Sequence, residues 1–202
     1  EIGAELSAVA MIAQGPMVLV GSASLPVADL RALLQDMRRD PSRWSYGTSG
    51  IGTSQHLAGE LINAAAGTAM RHVPYRGGAA AANDVVGGQL PLAILGVAPV
   101  LGHVKSGRLK AFAVTGGQRI DSLPDVPTMQ EAGVAGYDAS QWYAVAVPRD
   151  AVAAVVASLS RAPDADEQLA VLRILVDRRR SLGDEHTRKT SQLHQLLLDG
   201  AG

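Results

Sequence analysis

Short apolar runs alternate along this chain with segments whose apolar residues recur at helical spacing. "MVLVGSAS", Met17 to Ser24, reads as a buried strand. In the next segment, "LPVADLRALLQDMRRDP", Val27, Leu30, Leu33, Leu34 and Met37 fall on one helical face, and Pro41 lies beyond the end. "RWSYGTS" is a second strand. A glycine-rich loop then leads into a helix predicted from about Thr53 to Ala66, with Leu57, Leu61 and Ala65 along one face and Gly67 just past the C-terminus. "AMRHVPY" is a strand, "GGAAAANDVVGG" a short helix between glycine pairs, "LPLAIL" a strand, "APVLGHVKSG" a helix and "LKAFAVTG" a strand. These alternations predict α/β architecture with a largely parallel sheet flanked by helices.

Downstream the texture changes. "DSLPDVPTMQEAG" is a proline-bounded loop leading into Thr128-Met129-Gln130-Glu131, a capping box in which the Thr128 hydroxyl and the Glu131 carboxylate each satisfy an orphan backbone donor. A short helix is expected to begin there. "SQWYAVAVP" is a last strand ending at Pro148. "AVAAVVASLS" and two further charged segments up to Leu198 read as helical, though "RILVDRRRSLGDEHTRKTSQ" is far more polar than anything upstream. The sequence contains no internal repeat and no low-complexity tract.

With 202 residues of which 47% are hydrophobic, the chain can bury a core as one domain or two small ones. A formal charge of -1, from 18 basic and 19 acidic residues, gives no electrostatic footprint for nucleic acid or an anionic membrane. Cysteine is absent, which removes disulfides and thiolate metal sites and leaves the redox compartment open. No apolar run reaches the roughly 18 to 20 residues of a membrane-spanning helix, so the chain is not expected to be membrane-embedded. Its first residues also lack the basic start of a signal peptide.

Candidate chemistry concentrates in "YGTSGIGTSQHLAGE", Tyr46 to Glu60. Gly47 to Ser54 has the spacing of a P-loop, but Thr53 stands where the phosphate-reaching lysine belongs. As a dinucleotide fingerprint it fails at Gln55, too large for close helix packing, and as a hydrolase nucleophile elbow it has Gly50 one place early. What remains is a strand, a glycine turn and a helix start, which offer backbone N–H groups, the positive end of a helix dipole and hydroxyls to a carboxylate or small oxyanion. Thr48, Ser49, Gly50, Gly52, Thr53 and Ser54 form that candidate lip. The alternative is a tight turn whose Thr53 or Ser54 merely caps the helix. The plan recurs after the next strand in Tyr75, Arg76, Gly77, Gly78 and Ala79, and two lips on consecutive strand ends converge on one crevice at the carboxyl edge of a sheet.

These two motifs, together with "HVKSGRLKAFAVTGGQRIDSLPDVPTMQEAGVAGYDASQWYAVAVP", resemble the central part of the Bug (TctC-type) solute-binding receptors of tripartite tricarboxylate transporters. The resemblance runs from about Gly15 to Pro148 and fades past about Ser160, where a shifted reading frame would account for the divergence. It implies a periplasmic-binding-protein-like fold of type II, a Venus flytrap of two α/β lobes. A small carboxylated solute would bind in the interlobe cleft for delivery to membrane permease subunits, in the periplasm, with no cofactor, metal or catalysis. Residues 1–22 would then be a remnant of the first lobe and a crossover strand. Residues 23–137 would form the second, ligand-binding lobe, and 138–202 a return strand and closing helices of the first. Relatives carry a long stretch before the point matching Glu1, so the first lobe is expected to be incomplete. Many also have a polar residue where this chain has Leu95 and Gly96.

Other candidates carry a bland reading beside the functional one. His56, His72, His103, His186 and His194 lack metal-ligand spacing, and His56 either donates to a ligand or, by preference, serves solvent or structure. Arg76 could form a bidentate pair with a carboxylate or simply sit exposed on its loop. Trp142 and Tyr143 are expected in the core rather than lining the cleft, Asp84 on a helix surface and Asp125 in a turn. Three functions follow: a receptor lobe, an enzyme using Ser49 or Ser54 with His56, or a truncated product that binds nothing.

Overall fold

The apolar runs Met17–Val20 and Leu92–Leu95 lie side by side in one sheet, with Met17 opposite Gly96 and Val20 opposite Ala93. The structure, a computed structural model, describes residues 5–152 and 154. Its strands are β1 (Leu6–Ser22), β2 (Ser45–Thr48), β3 (Arg71–Pro74), β4 (Leu92–Gly96), β5 (Leu109–Val114) and β6 (Ser140–Pro148). They are ordered β3-β2-β4-β1-β5, and β6 pairs with β1 off this path. β2 is parallel to β3 and β4, while β1 is antiparallel to both β4 and β5. The sheet is therefore mixed: β2, β3, β4 and β5 share one direction, and β1 opposes them. The shared direction follows from the single helix that joins each of these strands to the next, a connection that returns the chain parallel to itself. β1, which leads to β2 through α1 (Leu30–Arg39), is the exception and lies between β4 and β5.

Alternation along the central strands divides the core in two. Met17, Leu19, Leu92 and Ile94 belong to one cluster and Val18, Val20, Ala93 and Leu95 to the other, as the two-residue period of a strand buried on both faces requires. The first cluster is covered by α1 (Leu30–Arg39) and α2 (Ser54–Ala66), the second by α3 (Gly78–Val86) and α4 (Val97–Lys105). Register between β1 and β5 slips at Leu19/Val20, so Phe112 is passed over and joins Ala113 in the first cluster. Its ring fills the space above Gly21, where a Cβ would stand 2.7 Å from Phe112 Cε2.

On α1, Leu30, Leu33, Leu34 and Met37 of the expected face are buried, while Val27, also buried, precedes the helix, which Asp29 caps by accepting from Ala32 N–H at 2.8 Å. On α2 the inward face differs from the sequence expectation. Gln55, Ala58, Gly59, Ile62 and Ala66 face inward, whereas Ala65 is exposed and Leu57 and Leu61 are only partly covered. Gly59 sets that rotation, because the buried Tyr46 ring lies where its side chain would be, 2.2 Å from a notional Cβ. The helix ends at Gly67, in the left-handed region at φ 62°. The capping box forms, with Thr128 N–H donating to Glu131 Oε2 at 2.9 Å and Glu131 N–H to Thr128 Oγ1 at 3.1 Å. It opens a turn instead of a helix, since the chain reverses at Gly133 (φ 104°) after the Ala132 N–H to Thr128 O bond.

The first strand begins at Leu6, well before Met17, and passes through Pro16. Proline is tolerated there because the β4 and β5 ladders start only at Met17 and Val18. Trp142 and Tyr143 are 48% and 57% exposed, which corrects their expected place in the core; Trp44, Tyr46, Phe112 and Tyr137 are buried aromatics. The chain divides into two compact units, residues 14–142 and residues 1–13 with 143–202. In the second, the described residues Val9 and Ala10 are buried, and Ile12 and Val145 are exposed. Among the described residues no helix is long and apolar enough to cross a membrane. The expected helices beyond Pro148 lie outside the described residues, apart from a short 3-10 turn at Arg149–Ala151.

Candidate functional site

Because β2, β3 and β4 are parallel neighbours, their carboxyl ends share one edge of the sheet, and α2, α3 and α4 all begin there. Both expected lips are brought to this edge, within the unit of residues 14–142. α4, the helix expected from "APVLGHVKSG", starts directly from the last residue of β4 and makes a third helix start at the same edge. Gly78, the first residue of α3, lies against Leu95 and Pro99, with a notional Cβ 3.3 Å from Pro99 Cγ, so the α3 and α4 starts touch.

The glycine lip is more tightly knit than the sequence suggested. Ser49 N–H donates to Gln55 Oε1 at 2.8 Å, Gly50 N–H to Thr48 Oγ1 at 3.2 Å and Gly52 N–H to His56 Nδ1 at 3.1 Å. The expected set of unpaired amides is thus reduced by three, because neighbouring side chains complete the turn. At the sheet edge there remain the first-turn amides of α2 that Thr53 does not cap. Thr48 is fully buried, and its hydroxyl also meets Gly50 O at 3.1 Å and His72 Nε2 at 2.7 Å. Thr53 is the N-cap of α2, donating to Gly50 O at 2.8 Å while accepting from His56 N–H at 3.3 Å. Thr48 and Thr53 therefore shape the lip from within. The hydroxyls of Ser49 and Ser54 bond to no described residue, and both side chains are partly exposed. Gly52 adopts φ 75°, a conformation that only glycine takes without strain, and next to it Ile51 is 77% exposed.

Beneath the lip, His56 stacks on His72 with ring centroids 3.9 Å apart and planes inclined by 16°. His56 Nε2 stands 3.9 Å from Glu60 Oε1. Tyr46 Oη lies 2.7 Å from the same carboxylate oxygen, and burial followed by the Glu60 hydrogen bond pushes its phenol far above the usual range. Burial, and then the charge His56 would carry, hold His72 below the ordinary histidine range. Among the described residues no serine hydroxyl meets an imidazole; the hydroxyl that does belongs to the buried Thr48.

In the second lip the two polar residues part company. Tyr75 turns its hydroxyl to Asp84 Oδ2 at 2.7 Å, and burial, then this bond, push it up to about 12. Asp84 is accordingly a tether for Tyr75 and not merely a surface charge. Arg76 is exposed and has no hydrogen bond or ion pair to any described residue. No side chain caps α3 at Gly77 or α4 at Gly96, which leaves their first amides directed at the edge. Gln141 is the residue that sequence reasoning missed. Its terminal amide fills the space over Gly96, with Nε2 2.7 Å from a notional Cβ, and it bonds to no described residue. The only sequence signal was the absence of a polar side chain at Leu95 and Gly96. No cluster of three or more His, Asp or Glu suited to a metal occurs among the described residues.

The lobe thus gathers three helix starts at one sheet edge, with a guanidinium and an amide that have no partner among the described residues, and the solved structures it resembles have the periplasmic-binding-protein fold. The family model of the tripartite tricarboxylate transporter family receptor, TctC, matches residues 3–195, and the chain belongs to that family. It is 34% identical over 158 residues to a protein from the TAR-I ttuE–ttuC′ intergenic region of Agrobacterium vitis, covering 78% of this chain and 46% of that one. To BugT of Bordetella pertussis it is 32% identical over 157 residues, covering 78% and 48%. The chain thus spans about half the length of the curated relatives it matches. Among solved structures, R. palustris Rpa4515 with adipate superimposes with a TM-score of 0.74 at 27% identity, over 95% of this chain and 68% of that one. The periplasmic binding protein BugD gives 0.74 at 24% identity, over 96% and 69%. MatC from Rhodopseudomonas palustris with bound malate gives 0.68 at 20% over 86% and 68%, and these last two likenesses speak for the fold alone.

Proposed function

We propose that this chain carries the solute-binding lobe of a receptor that takes a small carboxylated solute at the carboxyl edge of β2, β3 and β4. In the intact receptor the solute would pass, in the periplasm and without covalent chemistry, to the permease subunits of a tripartite tricarboxylate transporter. The observation that carries this reading is Arg76, exposed and without a partner among the described residues, next to the uncapped start of α3, which touches the uncapped start of α4. A carboxylate there would meet a bidentate cation and oriented backbone amides, which together favour an anion over a neutral ligand. The Ser49 and Ser54 hydroxyls and the Gln141 amide would add neutral donors, and adipate bound to Rpa4515 supports a dicarboxylate as the solute class. Thr48, Gly50, Gly52, Thr53, Gly77, Gly78 and Ala79 would shape the lips. The hydrolase reading has less to stand on, because His56 already accepts from the Gly52 amide.

Calorimetric titration of the folded chain with a dicarboxylate panel including adipate and malate tests the proposal. Saturable binding is expected, weakened about tenfold or more by Arg76→Gln, since charge-assisted bonds contribute about 1.5–3 kcal/mol. Gln141→Leu should weaken it less. A folded chain, and an intact receptor, that give no heat with any member of the panel would leave the non-binding product as the correct reading.

A further inference from the structure

The His56–His72 stack bears directly on the glycine lip. His56 Nδ1 accepts from Gly52 N–H, so this nitrogen holds a lone pair, and the ring proton of the neutral imidazole sits on Nε2. His72 Nε2 reaches the buried Thr48 hydroxyl, which in turn accepts from Gly50 N–H. The two rings therefore hold both φ-positive glycines of the turn, one directly and one through Thr48. We propose that His56 and His72 are positioning residues that clasp the glycine lip, and that the clasp closes only while His56 is neutral. This rests on the reading of the turn as one lip of a solute site.

The chemistry gives the direction. A proton on His56 Nδ1 would face the Gly52 N–H, donor against donor, and the bond would be lost. A second proton would place two cations face to face at 3.9 Å. Glu60 and Tyr46 are the other titratable groups turned toward the pair, Glu60 on α2 and Tyr46 on β2 with its ring 5.2 Å from that of His72. Glu60 offers limited compensation, since its Oε1 already receives the Tyr46 hydroxyl and lies 3.9 Å from His56 Nε2. Arg71 precedes His72 on β3 and alternates to the opposite face. Burial, and then the charge of its neighbour, disfavour a proton on His72.

The test follows the Gly52 amide and the His56 ring nitrogens by NMR in the 202-residue chain between pH 8 and 5, with and without adipate or malate. In the unaltered chain the Gly52 amide should move with the same midpoint as the His56 ring. His56→Asn, whose Oδ1 stands where Nδ1 stood and does not titrate, should remove that movement; His56→Ala should show the displaced amide already at pH 8. The loss of adipate affinity from pH 8 to 5 should be about tenfold greater in the unaltered chain than in His56→Asn. Comparison at equal pH cancels protonation of the solute itself. A Gly52 amide indifferent to the His56 titration, a measurement that needs no variant, would overturn the clasp, as would an identical affinity loss in His56→Asn. If adipate and malate fail to bind at every pH while Gly52 follows His56, the solute reading fails and the clasp stands.

Discussion

Two glycines in this chain are defined by what occupies the place of their side chain. At Gly59 it is the Tyr46 ring, fully buried and pinned through its hydroxyl to Glu60. Gly59→Ala would gain about 1 kcal/mol in helix propensity, but a methyl 2.2 Å from an immobile ring forces the helix off the sheet. Overpacking of this kind costs about 1–3 kcal/mol or more, so the sum is unfavourable. A melting temperature lower by several degrees is the expected outcome, checked by calorimetry. At Gly96 the occupant is the unbonded amide of Gln141, which supplies from another strand the polar group that the local sequence does not. Neither relation was legible in sequence, because each joins residues that are distant along the chain or, at Gly59, depends on the rotation of a helix.

Helix α2 shows how element boundaries and element faces differ in legibility. Its start at Thr53 and its end at Gly67 follow from local chemistry, a hydroxyl that accepts an orphan amide and a residue free to turn left-handed. Its buried face depended instead on the partner surface, where Tyr46 admits only Gly59 and the small Ala58 beside Ile62. Thr53→Ala removes the bonds to His56 N–H and Gly50 O together, and a cap of this type contributes about 1 kcal/mol. Faster amide exchange confined to the loop and the first turn of α2, with the helix interior protected, is the expected signature. The capping box at Thr128 and Glu131 is the counter-case. Its reciprocal bonds were predicted correctly, and Arg119 reinforces Glu131 at 2.8 Å, yet the helix it announces is stopped within one turn by Gly133.

At the scale of the whole molecule, one buried hydroxyl joins the central strand to the segment that leads into β6. Thr115 Oγ1 accepts from Met17 N–H at 2.9 Å and lies 2.7 Å from Ala139 O, while Thr115 N–H donates to Met17 O. Thr115→Val preserves the volume but leaves the fully buried Met17 amide without its partner, at about 1–3 kcal/mol. Urea unfolding should show a lower midpoint with an unchanged slope. The sequence by itself determined the strand–helix alternation, the helix ends and the two glycine turns, because hydrophobic period, capping and backbone freedom act over a few residues. It also carried the family motifs. Only the tertiary structure decided that β1 runs against its neighbours, that Phe112 crosses to the first face of the sheet, and that the α4 start with Gln141 joins the two lips. The same folding brought His56 onto His72 beneath the glycine turn. Each of these depends on contacts between elements, which local periodicity does not encode.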